Sequence, residues 1–174
     1  RYIYFMKKVL VFMLAIVLVV SVEAQNVFNK GSIMFNAGIG MPALNGVIPT
    51  INFSGEVGVI PTGNIGLVSF GGLAEFQVAN YNWFGSNEVF PRVYFGPRAA
   101  WHVHAFNSDV FDAYAGVGLG ISISGSTTHY NNDIKFNPDV FVGGRWMFKS
   151  SLGLFAEAGY SGLSVLKFGI TFGF

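Results

Sequence analysis

Along most of the chain, large apolar residues alternate with small or polar ones at period two, the spacing of a strand whose two faces meet different surroundings. Val93, Phe95, Pro97, Ala99, Trp101, Val103 and Ala105 share one parity, against Arg92, Tyr94, Gly96, Arg98, Ala100, His102 and His104 on the other. The next run repeats the pattern: Ala113, Ala115, Val117, Leu119, Ile121 and Ile123 oppose Asp112, Tyr114, Gly116, Gly118, Gly120, Ser122 and Ser124. No charge falls on the apolar parity of either run. Eight such segments are predicted, at about 31–40, 50–60, 66–79, 91–105, 111–124, 138–149, 152–162 and 164–174. Each is near the roughly 9 to 11 residues that a tilted membrane strand needs. Pro97 has no N–H to give a ladder and is expected to mark a bulge or kink inside the fourth.

The connections alternate as well. Short turns are predicted at 61–64, 106–109 and 149–151, and longer polar stretches at 41–49, 80–90 and 125–137, with a very short last connection near Gly162. The expected fold is all-β: an eight-stranded antiparallel up-and-down barrel, preceded by an N-terminal signal helix. Recognition at the longer loops would centre on Trp83, Phe84, His129 and Tyr130, unless these only cap the rim.

Parity alone does not say which face points inward, because a lipocalin-like soluble barrel shows the same alternation with its apolar side inside. Charge separates the two. A soluble surface is typically about 25 to 35% charged, whereas this chain is 11% charged and 52% hydrophobic. Its polar parity carries Gly, Ser and Asn with isolated charges of mixed sign, which suits a narrow lumen. Trp101, Phe111, Trp146, Phe148, Phe172 and Phe174 fall on the apolar parity toward one end, as an interfacial girdle would. The alternative is that they are core aromatics of a soluble sandwich.

Met6, Lys7 and Lys8 give a short basic start, the run from Val9 to Val22 is apolar, and Val22-Glu23-Ala24 offers a site for cleavage after Ala24. Residues 1–24 therefore read as a secretory signal peptide, with 1–5 a possible upstream extension, and residues 25–174 as one barrel domain. The apolar run is too short for a spanning helix, which needs roughly 20 residues. The chain has no cysteine, which excludes thiol chemistry and disulfides. Its formal net charge is +1, and losing Arg1, Lys7, Lys8 and Glu23 leaves it close to neutral. Nucleic acid is not an expected partner, since that needs a clustered basic face.

On the lumen parity, folding the last three strands about their tight turns sets Arg145 opposite Glu157 and Glu157 opposite Lys167. The same construction brings Glu75 near Arg98 and sets His104 across from Asp112. A linked charge cluster filling the barrel is expected, because unpaired charges in a narrow interior are costly. Gly116, Gly118 and Gly120 would leave room for the arginines. His102 and His104 project to one face, and a histidine beside a carboxylate can orient a base or help hold a metal. Neither role has a third fixed ligand or partner here, so no catalytic, cofactor or metal residues are assigned.

The closing segment 166–174, which alternates and ends on Phe174, resembles the C-terminal strand of Gram-negative outer-membrane barrels. Residues 25–174 as a whole resemble the small eight-stranded outer-membrane proteins of the OmpX, OmpA and OmpW type, an uncharacterised barrel family. The resemblance implies a monomer in the cell outer membrane, exported through the inner membrane. Its partners would be outer-membrane lipid, periplasmic chaperones and the barrel assembly machinery, for which Phe174 would be part of the assembly signal. It implies a structural, envelope or surface-interaction role without enzymatic activity or cofactor. The alternatives are a narrow porin-like channel for small solutes or ions and, more distantly, a lipid-modifying enzyme. The deacylase motif of histidine and serine is not matched.

Overall fold

A computed structural model describes residues 26–42, 49–83, 86–104, 108–125 and 133–174. The expected signal segment, and Phe84, His129 and Tyr130, lie outside the described residues, as does the side chain of Trp83. Eight strands follow in chain order: β1 (Ile33–Pro42), β2 (Thr50–Pro61), β3 (Gly66–Trp83), β4 (Ser86–Val103), β5 (Phe111–Ser124), β6 (Asp133–Lys149), β7 (Leu152–Ser161) and β8 (Ser164–Gly173). Each pairs with its neighbour in sequence and β1 closes on β8, giving a closed antiparallel barrel. Closure leaves no free edge, so every strand has a ladder on both sides.

The period-two pattern sorts onto the two faces of the wall. Val117 and Leu119 on β5 are 60% and 55% exposed on the outside, while Arg145 on β6 is 1% exposed inside. The wall is thus apolar outward and polar inward, the reverse of a water-soluble barrel. The aromatic residues expected as a girdle, Trp101, Phe111, Trp146, Phe148, Phe172 and Phe174, are all exposed on the outer face. They lie at the end carrying the β2–β3, β4–β5 and β6–β7 connections, called the turn end below. Trp101 Nε1 on β4 donates to Thr62 Oγ1 in the β2–β3 connection at 3.0 Å.

Three expectations need correction. The stretch 80–90, predicted as a loop, is mostly hairpin: the β3–β4 ladder runs without a break to Trp83↔Ser86. The stretch 125–137 likewise gives way to β6 at Asp133. Polar residues still zip once the pairs beside them are formed, so polarity alone marked the loops too long. Pro97 makes no bulge either. On its β3 side it pairs with Gly72 in register, and on its β5 side the pairs resume from Phe95↔Ile121 to Arg98↔Gly118 without a shift. The shifts fall elsewhere, at Met41/Pro42, Gly58/Ile60, Met147/Lys149 and Ala158/Ser161.

Candidate functional site

The chemistry of this chain sits inside the barrel, in two linked groups of charged side chains. The first lies toward the turn end. Arg145 on β6 directly faces Asp112 on β5 in the ladder, and its Nη1 donates to Asp112 Oδ2 at 2.9 Å. Arg145 also reaches across the lumen to β2, where Nη2 donates to Glu56, and to β1, where Nε donates to Asn36 Oδ1 at 3.3 Å. His102 stands between the two carboxylates: Nδ1 is 2.9 Å from Asp112 Oδ2 and Nε2 is 3.1 Å from Glu56 Oε2. The Ser69 hydroxyl donates to Glu56 Oε2 at 2.5 Å and lies 3.0 Å from His102 Nε2.

The second group fills the middle of the barrel and the half toward the longer connections. Arg98 on β4 donates to both carboxylate oxygens of Glu157 on β7, Nη1 to Oε1 at 3.3 Å and Nη2 to Oε2 at 3.1 Å. Its Nε is 3.2 Å from Asp139 Oδ2 on β6. Its guanidinium lies 3.4 Å from the centre of the Phe141 ring, a stacking geometry that a delocalised planar cation favours. Lys167 Nζ is 3.8 Å from both Glu157 Oε2 and Glu75 Oε1. Glu75 in turn accepts from the Ser164 hydroxyl and from the Leu163 N–H at 2.8 Å. Tyr114 joins the two groups: its hydroxyl donates to Glu157 Oε1 at 3.0 Å, while its ring lies 4.3 Å from the Arg145 guanidinium.

All the residues expected in the lumen cluster, Glu75, Arg98, His104, Asp112, Arg145, Glu157 and Lys167, stand on the inward parity, but several partners differ from those expected. Glu157 does face Lys167 in the β7–β8 ladder. Arg145 faces Phe155 instead of Glu157: the β6–β7 ladder runs two residues short of the expected pairing, with a one-residue irregularity at Met147/Lys149 beside the turn. A shift of two preserves the face and changes the neighbour. Glu75 faces Tyr94, and Arg98 faces Gly71, because the long β3–β4 hairpin sets their register. The histidine beside Asp112 is His102, and His104 Nε2 instead donates to the Phe28 carbonyl at 3.0 Å. The expected room for arginines at the β5 glycines goes largely to rings. A Cβ at Gly116 would strike Phe141 and one at Gly120 would strike Tyr94, while one at Gly118 would lie 2.6 Å from the Pro97 carbonyl.

Glu56, Ser69, Asp139 and Tyr114 also belong to the network and were not singled out in the sequence. Glu56 and Asp139 were open to detection, since each sits on the small-or-polar parity of its strand. Phe28 offered no signal, because it precedes the first strand. It is nevertheless 1% exposed, with its ring 4.1 Å from that of His102 and 5.9 Å from the Arg145 guanidinium.

Ser69, His102 and Asp112 stand in file, the order of a nucleophile, a base and the group that orients it. The file is packed away rather than presented. The Ser69 hydrogen is directed to Glu56, the Phe28 ring covers the imidazole, and Ser69 and His102 are both 0% exposed. What the arrangement does chemically is hold charge: each carboxylate and guanidinium described above meets an opposite charge or a hydrogen-bonding partner, the condition under which buried ions are tolerated.

No protein-family model and no curated protein matches this chain. Among solved structures, the chain is similar to Ail, the attachment invasion locus protein of Yersinia pestis, in complex with the heparin analogue sucrose octasulfate. The identity is 14% and the TM-score 0.46, over 84% of this chain and 100% of that one. A second structure of Ail from the same organism is similar at 14% identity and a TM-score of 0.45, with the same coverage.

Proposed function

We propose that the protein is an integral outer-membrane barrel of the Gram-negative envelope, with a structural or surface-interaction role and a lumen closed by its own paired charges. The observation that carries this reading is the inverted wall, apolar outside and charged inside. Phe53, Phe70, Val117, Leu119, Val140 and Val142 are all exposed on the outside. In water so large an apolar surface would drive association. In a bilayer it is the solvent-facing side, and a closed barrel pairs its strand backbones with one another where lipid offers no partner.

Eight strands enclose an interior just wide enough to be filled by side chains, and here Arg98, Glu157, Lys167 and Arg145 reach across it. That filling argues against the narrow-channel alternative. The signal-like residues 1–24 and the alternating segment 166–174 support export and assembly at the outer membrane. In a Gram-negative host, the folded protein should be recovered with the outer-membrane fraction and migrate faster on gels before boiling than after. Recovery as a soluble periplasmic protein would overturn the proposal.

A further inference from the structure

The turn-end mouth of the barrel is covered by a segment that belongs to no strand. Phe28 packs against Met34, Leu67 and Met147, with Val27 beside them. The Val27 N–H donates to the Ser108 carbonyl at 3.1 Å and His104 donates to the Phe28 carbonyl, so the segment is tied to the β4–β5 connection across the mouth from β1. Asn29 holds the turn locally, its N–H donating to Ser32 Oγ at 3.1 Å and its side chain to the Asn26 carbonyl at 2.6 Å.

The two sides of Gly31 differ in how they are held. From Gly31 onward the chain is zipped to the wall: its N–H donates to the Gly58 carbonyl at 2.9 Å, Gly58 donates back to Ser32 at 3.0 Å, and Ile33 exchanges bonds with Phe174 at 2.9 Å. Before Gly31, the Phe28 and Val27 side chains, the Asn29 backbone lying against Gly58 and a few hydrogen bonds do the holding. Gly31 itself has φ +88°, and nothing lies within 4 Å of where a Cβ would stand. A positive φ is what glycine supplies in a tight turn, here the one closed by the Ser32 N–H donating to the Asn29 carbonyl at 3.0 Å.

We propose that residues 26–31 form a hinged cork. Seated, it places Phe28 over His102 and seals the turn-end half of the lumen. Swung out about Gly31, it admits water and small solutes to the Glu56, His102, Asp112 and Arg145 group, while the Arg98–Glu157 pair beyond still closes the bore. The inference rests on the reading of a filled lumen and adds a second, movable closure in series with the fixed one.

The absence of cysteine makes the test clean. Leu67→Cys places a lone thiol under the Phe28 ring, at a position outside the charge network. The folded protein in detergent micelles is treated with a small cationic methanethiosulfonate, and the rate of mass gain is measured in three backgrounds: otherwise wild type, Phe28→Ala and Gly31→Ala. Phe28→Ala removes the cork's anchor. Gly31→Ala touches no packed atom but strains the seated backbone, since a non-glycine residue at positive φ is disfavoured. Both should label at least about tenfold faster than the parent, as expected when a locally held segment opens more often. If Phe28→Ala loses its fold, shown by loss of heat-modifiable migration, Gly31→Ala carries the test alone. Equal rates in all folded backgrounds, whether fast or slow, would overturn the cork. Bilayer recordings keep this separate from the proposed function: the cork variants should label faster and stay silent, whereas a conducting wild type would refute the filled lumen without touching the hinge.

Discussion

Arg98 on β4 and Glu157 on β7 meet across the lumen in a bidentate pair, with Nη1–Oε1 at 3.3 Å and Nη2–Oε2 at 3.1 Å. The two strands are not neighbours in the barrel, so the pair bridges the bore instead of running along the wall. Such fork-to-fork contacts fix both distance and orientation. Glu157 also receives the Tyr114 hydroxyl and faces Lys167, which makes it the point where the network is most concentrated.

Glu157→Ala should therefore be severe. It strips Arg98 of its bidentate partner and leaves Lys167 with Glu75 at 3.8 Å, and breaking a buried pair costs about 3 to 5 kcal/mol. Urea unfolding of the barrel in lipid vesicles should show the midpoint falling accordingly. A change within experimental scatter would mean that the charges are solvated by water in an open lumen.

Tyr114→Phe offers a milder cut through the same network. It deletes one hydroxyl donated to Glu157 while keeping the ring beside Arg145. The expected loss is about 1.5 to 3 kcal/mol, the range for a hydrogen bond to a charged group, below that of Glu157→Ala. An equal loss from both variants would place the stabilisation in Tyr114 and not in the carboxylate.

The division of residues between the two faces was legible in the sequence, because alternation is local and survives a two-residue error in register. The partners were not. Arg145 meets Glu56 from β2 and Arg98 meets Glu157 from β7, contacts between strands that never share a ladder. Pairing inferred from tight turns reaches only the next strand. Long side chains crossing a closed lumen depend on closure, which no local pattern records. The register of β6 on β7 also runs two residues short of the expected pairing, with an irregularity at Met147/Lys149, and nothing in the residues there announces it. Phe28 lay outside every alternating run, so its burial follows only from the folded barrel.

Leu119 tests the sidedness of the wall. It is 55% exposed on β5, and a charge at the midplane of a membrane barrel costs about 2 to 4 kcal/mol. Leu119→Arg should depress folding into vesicles by that order, and Leu119→Phe should be nearly neutral. On a water-soluble barrel the arginine would be harmless, so a neutral Leu119→Arg would reverse the assignment of faces. Gly118, beside it, makes a poor lumen control, because a Cβ there would lie 2.6 Å from the Pro97 carbonyl.

The girdle predicts a depth. Trp101 and Trp146 are exposed on the outer wall at the turn end, where amphipathic rings sit at the membrane interface. With Trp83→Phe leaving these two as the only indoles, their fluorescence should be quenched more by lipids brominated near the headgroup than by lipids brominated near the chain ends. Quenching that is absent, or strongest from the chain ends, would contradict the placement of the belt.

Planar-bilayer recording of the wild type beside Glu157→Ala tests the filled lumen most directly. With Arg98, Lys167 and Tyr114 all converging on Glu157, the wild type should pass little or no current. The variant, inserted under the same conditions, should show discrete conductance steps above that baseline. A wild type that already conducts steadily, at a level the substitution does not raise, would contradict the account.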